Sequence, residues 1–292
     1  MKRSLWLVFG AYCLLASAAW IVAPFGAGAV FYEQQVILFA VVCVGAIAFC
    51  GGRLRTLSRL PWIRLTIAGV GFWGIPACLI HWAGSGLPSI VISATFALLP
   101  VVVALVVSST GGNEEEGRES IAPALAAFGG VLLLLPVGLP GSVRGQLMLA
   151  VTFAVVVLVA VSGVWMYRLM QGIAVAEAMV IVCFANAVFL GICSLAAREF
   201  EGGWGGLTAM LSLSSCVDLI QIVLVFWLLR EMTPVRFGAR YLVIPLLTVV
   251  EGYVVLRPEV TARMIVGFIL LTGGAMWILL SKSPDTEVAA PS

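Results

Sequence analysis

Apolar stretches of spanning length recur along almost the whole of this 292-residue sequence, with short breaks between them. Lipid cannot hydrogen-bond free backbone groups, so a segment that crosses a bilayer must be helical, and one crossing takes about 20 residues. With 62% hydrophobic and only 10% charged residues, the composition excludes a water-soluble fold. We therefore expect an all-α integral membrane protein with ten transmembrane helices. Their approximate bounds are 4–23, 33–51, 63–82, 88–108, 120–137, 146–168, 174–197, 206–229, 234–256 and 260–281.

The second half of the chain repeats the first at an offset of about 145 residues. The landmarks that recur in the same order are Trp82, Pro88, Pro100 and Gly129-Gly130 in the first half, and Trp227, Pro234, Pro245 and Gly273-Gly274 in the second. We expect two five-helix repeats at 1–143 and 144–282, followed by a disordered cytoplasmic tail at 283–292. Because five is an odd number, the repeats insert upside down relative to each other. Inverted repeats favour a substrate site near the midplane of the membrane and alternating access to it.

The distribution of basic residues predicts the orientation of the chain. Twelve of the 16 Lys and Arg residues fall on one side of the predicted helices, and an excess of such residues marks the cytoplasmic side. We expect a multi-pass protein of the cell inner membrane with both termini in the cytoplasm. The run Glu114-Glu115-Glu116 then lies in a cytoplasmic loop, where we expect a solvated acidic turn.

Two segments carry a family resemblance. Residues 232–280, with TPVRFGARYLVIPLLTVVEGYVVL followed by RPEVTARMIVGFILLTGGAMWILL, resemble the closing helix pair of EamA-type domains in the drug/metabolite transporter superfamily, and GLPSIVISATFALLPVVVAL is a weaker match in the first half. The resemblance implies a ten-helix fold and the export or exchange of amino acids, nucleosides, sugars or related metabolites. The family usually closes its ninth helix with Gly-Glu. Here that place reads Arg257-Pro258 with Glu259 one residue late, and Glu251 is particular to this chain.

Three ionisable residues fall deep within predicted helices: Asp218, Arg240 and Glu251. Each costs about 2.5–3.5 kcal/mol to insert, so it needs a partner or a watery cavity. Ser214 and Gln221 share a helical face with Asp218. One interpretation is a charged column that lines a transport cavity, with Arg240 binding an anionic group and one carboxylate carrying protons. The other is a structural ion pair between Asp218 and Arg240.

Several uncharged candidates also have two interpretations. Three tryptophans form either a cavity wall that stacks on a planar substrate or anchors at the membrane interface. They are Trp20, Trp82 and Trp165, and Tyr241 is less easily assigned. His81 is either a gate or proton relay or an interfacial histidine. Asn186 must hydrogen-bond something, in helix packing or in substrate binding. Gly267, Gly273 and Gly274 are expected to allow close helix packing.

The remaining features exclude other function classes. The seven cysteines form no metal-binding pattern and are expected to have packing roles, and a single histidine argues against a metal site. We expect no cofactor, no nucleic-acid partner and no enzymatic activity. No nucleotide-binding loop supports an ATP-driven pump. The favoured function is a secondary transporter of small organic metabolites, in the lipid bilayer as monomer or homodimer, with proton coupling as an option. The alternative is a multi-span receptor or scaffold without solute flux.

Overall fold

The structure, a computed structural model, describes residues 3–18, 31–50, 61–110, 114–135, 138, 140–198, 213–256 and 261–281. Within these ranges every regular element is a helix and none is a strand. The helices are α1 Arg3–Ser17, α2 Phe31–Cys50, α3 Trp62–Gly84, α4 Ser89–Ser109, α5 Glu114–Leu134, α6 Val143–Met170, α7 Val175–Ala197, α8 Leu213–Glu231, α9 Pro234–Gly238 with Arg240–Leu256, and α10 Ala262–Leu280. Trp20 and the predicted tail 283–292 lie outside the described residues.

Eight of the described helices, all except α1 and α8, are long and apolar enough to cross a membrane. Large apolar side chains remain exposed on them, such as Phe49 (86% exposed) and Trp277 (63% exposed), and lipid rather than water is the medium that covers such surfaces. The expectation of an all-α, multi-pass membrane protein is therefore confirmed. The total of ten crossings stays a prediction.

The helices group into two compact units, each built from both halves of the sequence. The first unit combines residues 1–78 with 165–232, and the second combines 79–164 with 233–292. In the first unit α7 packs along α2 and α3, and α1 packs on α8. In the second, α10 packs along α5, α5 packs along α4, and α9 contacts α4 and α10. The predicted repeat boundary at 143/144 concerns sequence duplication and stays a prediction.

Glycines bring α5 and α10 into close contact in the second unit. A Cβ atom at Gly130 would lie 2.6 Å from both Gly267 O and Leu271 N, and a Cβ atom at Gly274 would lie 2.8 Å from Ala127 Cβ. Since low numbers on α5 face high numbers on α10, the two helices are antiparallel. The expected packing role is confirmed for Gly267 and Gly274. It is wrong for Gly273, where an added Cβ atom would meet no atom of another helix within 4 Å among the residues that the structure describes.

Glycines also bring α3 and α7 together in the first unit. A Cβ atom at Gly69 would lie 2.5 Å from Val182 Cγ1, and one at Gly74 would lie 2.7 Å from Phe189 Cδ1. Because the numbers rise together on both helices, α3 and α7 are parallel. Glycine at a helix contact allows the two backbones to approach this closely because it has no side chain to separate them.

Three helices are interrupted. In α3, Val70–Gly74 is a π-helical segment. Two turn residues, Ala97 and Leu98, separate Ser89–Phe96 from Leu99–Ser109 in α4, and Ala239 alone separates the two parts of α9. Pro100 lies in the first turn of the second part of α4, where a missing N–H costs nothing.

A buried acidic residue lies at the start of α5. Glu114 and Glu115 are exposed, as expected for a solvated turn, but Glu116 is buried. Its Oε1 accepts a hydrogen bond of 2.7 Å from the Thr233 hydroxyl just before α9. The expectation of a solvated acidic turn is therefore wrong for Glu116, because a neighbouring helix covers this position and supplies a donor.

Replacing Thr233 by valine should lower the free energy of unfolding by about 1–3 kcal/mol, because a nearly isosteric change removes one donor to a buried carboxylate. The midpoint of thermal unfolding of the purified protein measures the loss. Thr248→Val is the matched control in α9, since the Thr248 hydroxyl bonds only Ile244 O within its own helix. Equal midpoints for Thr233→Val and the control would contradict a stabilising role for this contact.

Candidate functional site

Arg240 begins the second part of α9 and is only 3% exposed. Its guanidinium carbon lies 3.5 Å from the centroid of the Phe237 ring and 4.6 Å from that of the Tyr241 ring. Nη2 donates a hydrogen bond of 3.3 Å to Tyr241 Oη. The faces of aromatic rings attract a cation and replace part of the water it loses on burial.

The interruption in α4 completes this arrangement. Phe96, the last residue before that interruption, stacks on Tyr241 with ring centroids 5.5 Å apart and an angle of 26° between the planes. Gly238, just before the break in α9, lies against Pro100, just after the break in α4; an added Cβ atom would be 3.6 Å from Pro100 Cα. The two breaks therefore face each other. We call Arg240, Phe237, Tyr241 and Phe96 the arginine–aromatic cluster.

The arginine–aromatic cluster has a defined chemistry. A guanidinium is planar and presents its donors in a fork that matches a carboxylate or a phosphate, and it stays charged at any physiological pH. The stacked pair of Phe96 and Tyr241 offers ring surface to planar groups. A small solute with an anionic group and a planar or apolar part suits this cluster.

Asn186 belongs to the first unit, on α7. It is fully buried, and its side-chain amide donates a hydrogen bond of 2.8 Å to Val182 O in its own helix. Its carbonyl oxygen Oδ1 has no hydrogen-bond partner among the described residues. That oxygen faces the end of the π-helical segment, 2.8 Å from where a Gly74 Cβ atom would lie. Asn186 therefore presents an acceptor at the irregular part of α3, which is where functional sites are often found.

An aromatic cluster surrounds the π-helical segment. The Trp73 ring lies 4.5 Å from Phe72, 4.9 Å from Phe226 and 6.2 Å from Phe39, measured between centroids. These rings come from α2, α3 and α8 of the same unit. Rings from two neighbouring helices therefore contact the irregular turn of α3.

The polar face expected on α8 stays a prediction. Ser214, Asp218 and Gln221 are all partly exposed. Sequence reasoning missed Ser215, which is fully buried and accepts a hydrogen bond of 3.3 Å from Gln34 Nε2 of α2. The sequence shows one polar residue on each of two apolar helices, Gln34 and Ser215. No pattern in it indicates that these two residues contact each other.

None of the contacts described above involves the remaining predicted residues. His81 and Trp82 are exposed near the end of α3, and Trp165 is 36% exposed on α6. Glu251 is partly exposed, three turns along α9 from Arg240. Since Asp218 belongs to the first unit and the other two charged residues to the second, the predicted charged column stays a prediction.

Comparison with solved structures supports the fold. One crystal structure, described only as that of a protein, is similar to this chain with a TM-score of 0.70 and 17% sequence identity. The similarity covers 98% of this chain and all of the other. No protein-family model matches the sequence, and no curated protein matches it. The comparison therefore extends to the fold and not to the function.

Proposed function

We propose that this protein is a secondary transporter of small organic metabolites, amino acids or related solutes, which it exports by alternating access. The observation that carries the proposal is the buried Arg240 at the facing breaks of α4 and α9. Interrupted membrane helices in corresponding places of two repeats mark the substrate site in many transporters, because irregular backbone at membrane depth persists where it lines a cavity.

The directions of packed helices support ten crossings. Helices α5 and α10 run antiparallel, as the contacts of Gly130 with Gly267 and of Pro123 with Gly274 indicate. Two antiparallel helices are separated by an even number of crossings. The long apolar helices between them are α6, α7 and α9, so the antiparallel pair favours a fourth crossing by α8. The parallel α3 and α7 agree with three crossings between them. We count α1, a shorter apolar helix, as the tenth crossing of the proposal.

Contacts between packed helices also support an inverted repeat. Three of the packed pairs join a helix to the one five places later: α2 with α7, α4 with α9, and α5 with α10. Such pairs form when a pseudo-twofold axis in the membrane plane relates the two halves, since equivalent helices then meet at the axis and run antiparallel. The glycine pairs 129–130 and 273–274 contribute to one such contact.

The chemistry of the arginine–aromatic cluster supports a substrate with a carboxylate. The resemblance to EamA-type domains adds export from the cytoplasm, and the excess of Lys and Arg on one side of the predicted helices supports an inner-membrane protein with both termini in the cytoplasm. Proton coupling through Asp218 or Glu251 remains part of the proposal as an option that a pH gradient tests.

Binding is tested by thermal unfolding of the purified protein with a panel of amino acids and other carboxylates, each paired with its neutral carboxamide. A carboxylate that binds at the cluster should raise the midpoint temperature of unfolding. At a concentration 100 times its dissociation constant, it should add about 2.7 kcal/mol to the free energy of unfolding. Its carboxamide should not. Arg240→Gln should remove the increase.

The control is Arg144→Gln, which removes the same charge from an exposed position at the start of α6. It should keep the increase. Equal stabilisation by carboxylate and carboxamide, or stabilisation that survives Arg240→Gln, would contradict the proposed site.

A further inference from the structure

Two cysteine thiols meet between α3 and α7. The side chain of Cys78 lies beside that of Cys193, and beside that of Tyr32 at the start of α2. All three residues belong to the first unit. Both cysteines are free and partly exposed.

The parallel packing of α3 and α7 fixes this meeting. Gly69 faces Val182 and Gly74 faces Phe189, at intervals of 113 and 115 positions (182 − 69 = 113 and 189 − 74 = 115), and Cys193 follows Cys78 by 115 (193 − 78 = 115). One helical turn beyond the glycine contact, the register therefore places the two cysteines opposite each other. The glycines hold the backbones close, and a disulfide needs this closeness because its two Cα atoms lie about 4.4–6.8 Å apart.

The chain offers a comparison pair in the same unit. Cys43 of α2 and Cys183 of α7 are both buried, and the Cys43 thiol donates to Val180 O at 3.6 Å. A buried thiol that bonds a backbone carbonyl is neither accessible to an oxidant nor directed at another sulfur. Cys78 and Cys193 differ from them in exposure, since both are partly exposed.

We propose that Cys78 and Cys193 are a disulfide site that covalently joins α3 to α7. Both S–H bonds break and one S–S bond forms, while a disulfide-containing oxidant takes the two electrons and two protons and leaves as two thiols. The bond locks α3 just beyond its π-helical segment, so it restrains any change of register between α3 and α7.

The site lies near one face of the membrane. Cys78 is six residues before the end of α3 and Cys193 four before the end of α7, or about 9 Å and 6 Å at the helical rise. In the proposed topology both helix ends lie on the non-cytoplasmic side of the membrane, and this location is the one step that rests on that topology. The compartment on that side is oxidising, so disulfides persist there.

The test uses the purified full chain and 4,4′-dipyridyl disulfide. Oxidation of the pair should release two pyridinethiones per bond and leave no pyridyl adduct on either cysteine. Mass spectrometry without reduction should then find a peptide that links residues 78 and 193, and dithiothreitol should restore two alkylatable thiols. Cys78→Ser should abolish the linked peptide, and Cys43→Ser should leave its yield unchanged.

A stable pyridyl adduct on Cys78 or Cys193, with no linked peptide, would overturn the proposal, because it would show thiols that react but cannot reach each other. A peptide that links residues 43 and 183, formed in higher yield than one that links residues 78 and 193, would also overturn the proposal. Neither result depends on solute transport, so this test and that of the proposed function fail separately.

Discussion

Replacing Arg240 by glutamine is expected to lower solute flux about tenfold or more, because losing a hydrogen bond to a charged group costs about 1.5–3 kcal/mol. The guanidinium lies over Phe237 and Tyr241, so its donors are held in one plane before a substrate arrives. Arg240→Lys keeps the charge but loses the planar fork and the stacking, and it should recover only part of the flux. Flux into proteoliposomes, normalised to reconstituted protein, measures both variants.

Arg144→Gln is the control for this substitution and should transport like the wild type. Thermal unfolding of the same preparations separates a lost substrate contact from a damaged fold. If Arg240→Gln kept wild-type flux, the arginine–aromatic cluster would be a structural feature of α9 and the assignment of the site would be wrong.

Replacing Gly274 by alanine is expected to destabilise the protein by about 1–3 kcal/mol, because the contact between α5 and α10 leaves no room for a methyl group. The added Cβ atom would meet Pro123 O and would lie 3.0 Å from Ala127 N. Both are backbone atoms, which cannot turn aside as the end of a flexible side chain can. The midpoint of thermal unfolding in detergent should fall by several degrees. Gly130→Ala should behave similarly for the same reason.

The neighbouring glycines supply controls of identical chemistry. Gly273→Ala and Gly129→Ala place the same methyl group where no other helix of the described part of the chain has an atom within 4 Å, and alanine is the better helix former. These two variants should unfold at the wild-type temperature or above it. A fall as large for Gly273→Ala as for Gly274→Ala would contradict the described contact between α5 and α10.

The sequence predicts the class of fold because each apolar helix is a local property. Its length and hydropathy suffice to predict a crossing, and eight of the predicted crossings coincide with long apolar helices of the structure. The glycine pairs also predict that helices approach closely. The rotation of α5 and α10 about their axes decides which glycine of each pair lies in the contact. That rotation cannot be predicted from the sequence.

The polar contacts were less predictable because each depends on two distant segments. Glu116 reads as part of an acidic, solvated run, and its hydrogen-bond partner Thr233 lies 117 residues away. Gln34 and Ser215 lie 181 residues apart. Arg240 was predicted as a site residue from its charge alone. Its aromatic neighbours Phe237 and Phe96 were not, since phenylalanine within an apolar helix carries no signal of its own.

Counterflow through proteoliposomes measures directly whether the chain moves solutes. Vesicles loaded with a carboxylate that stabilises the protein are diluted into a trace of the labelled compound, with and without a pH gradient. We expect transient accumulation of label above its external level, absent from protein-free vesicles and from Arg240→Gln. Label uptake equal to that of protein-free vesicles, for every compound that binds, would contradict it and indicate a receptor.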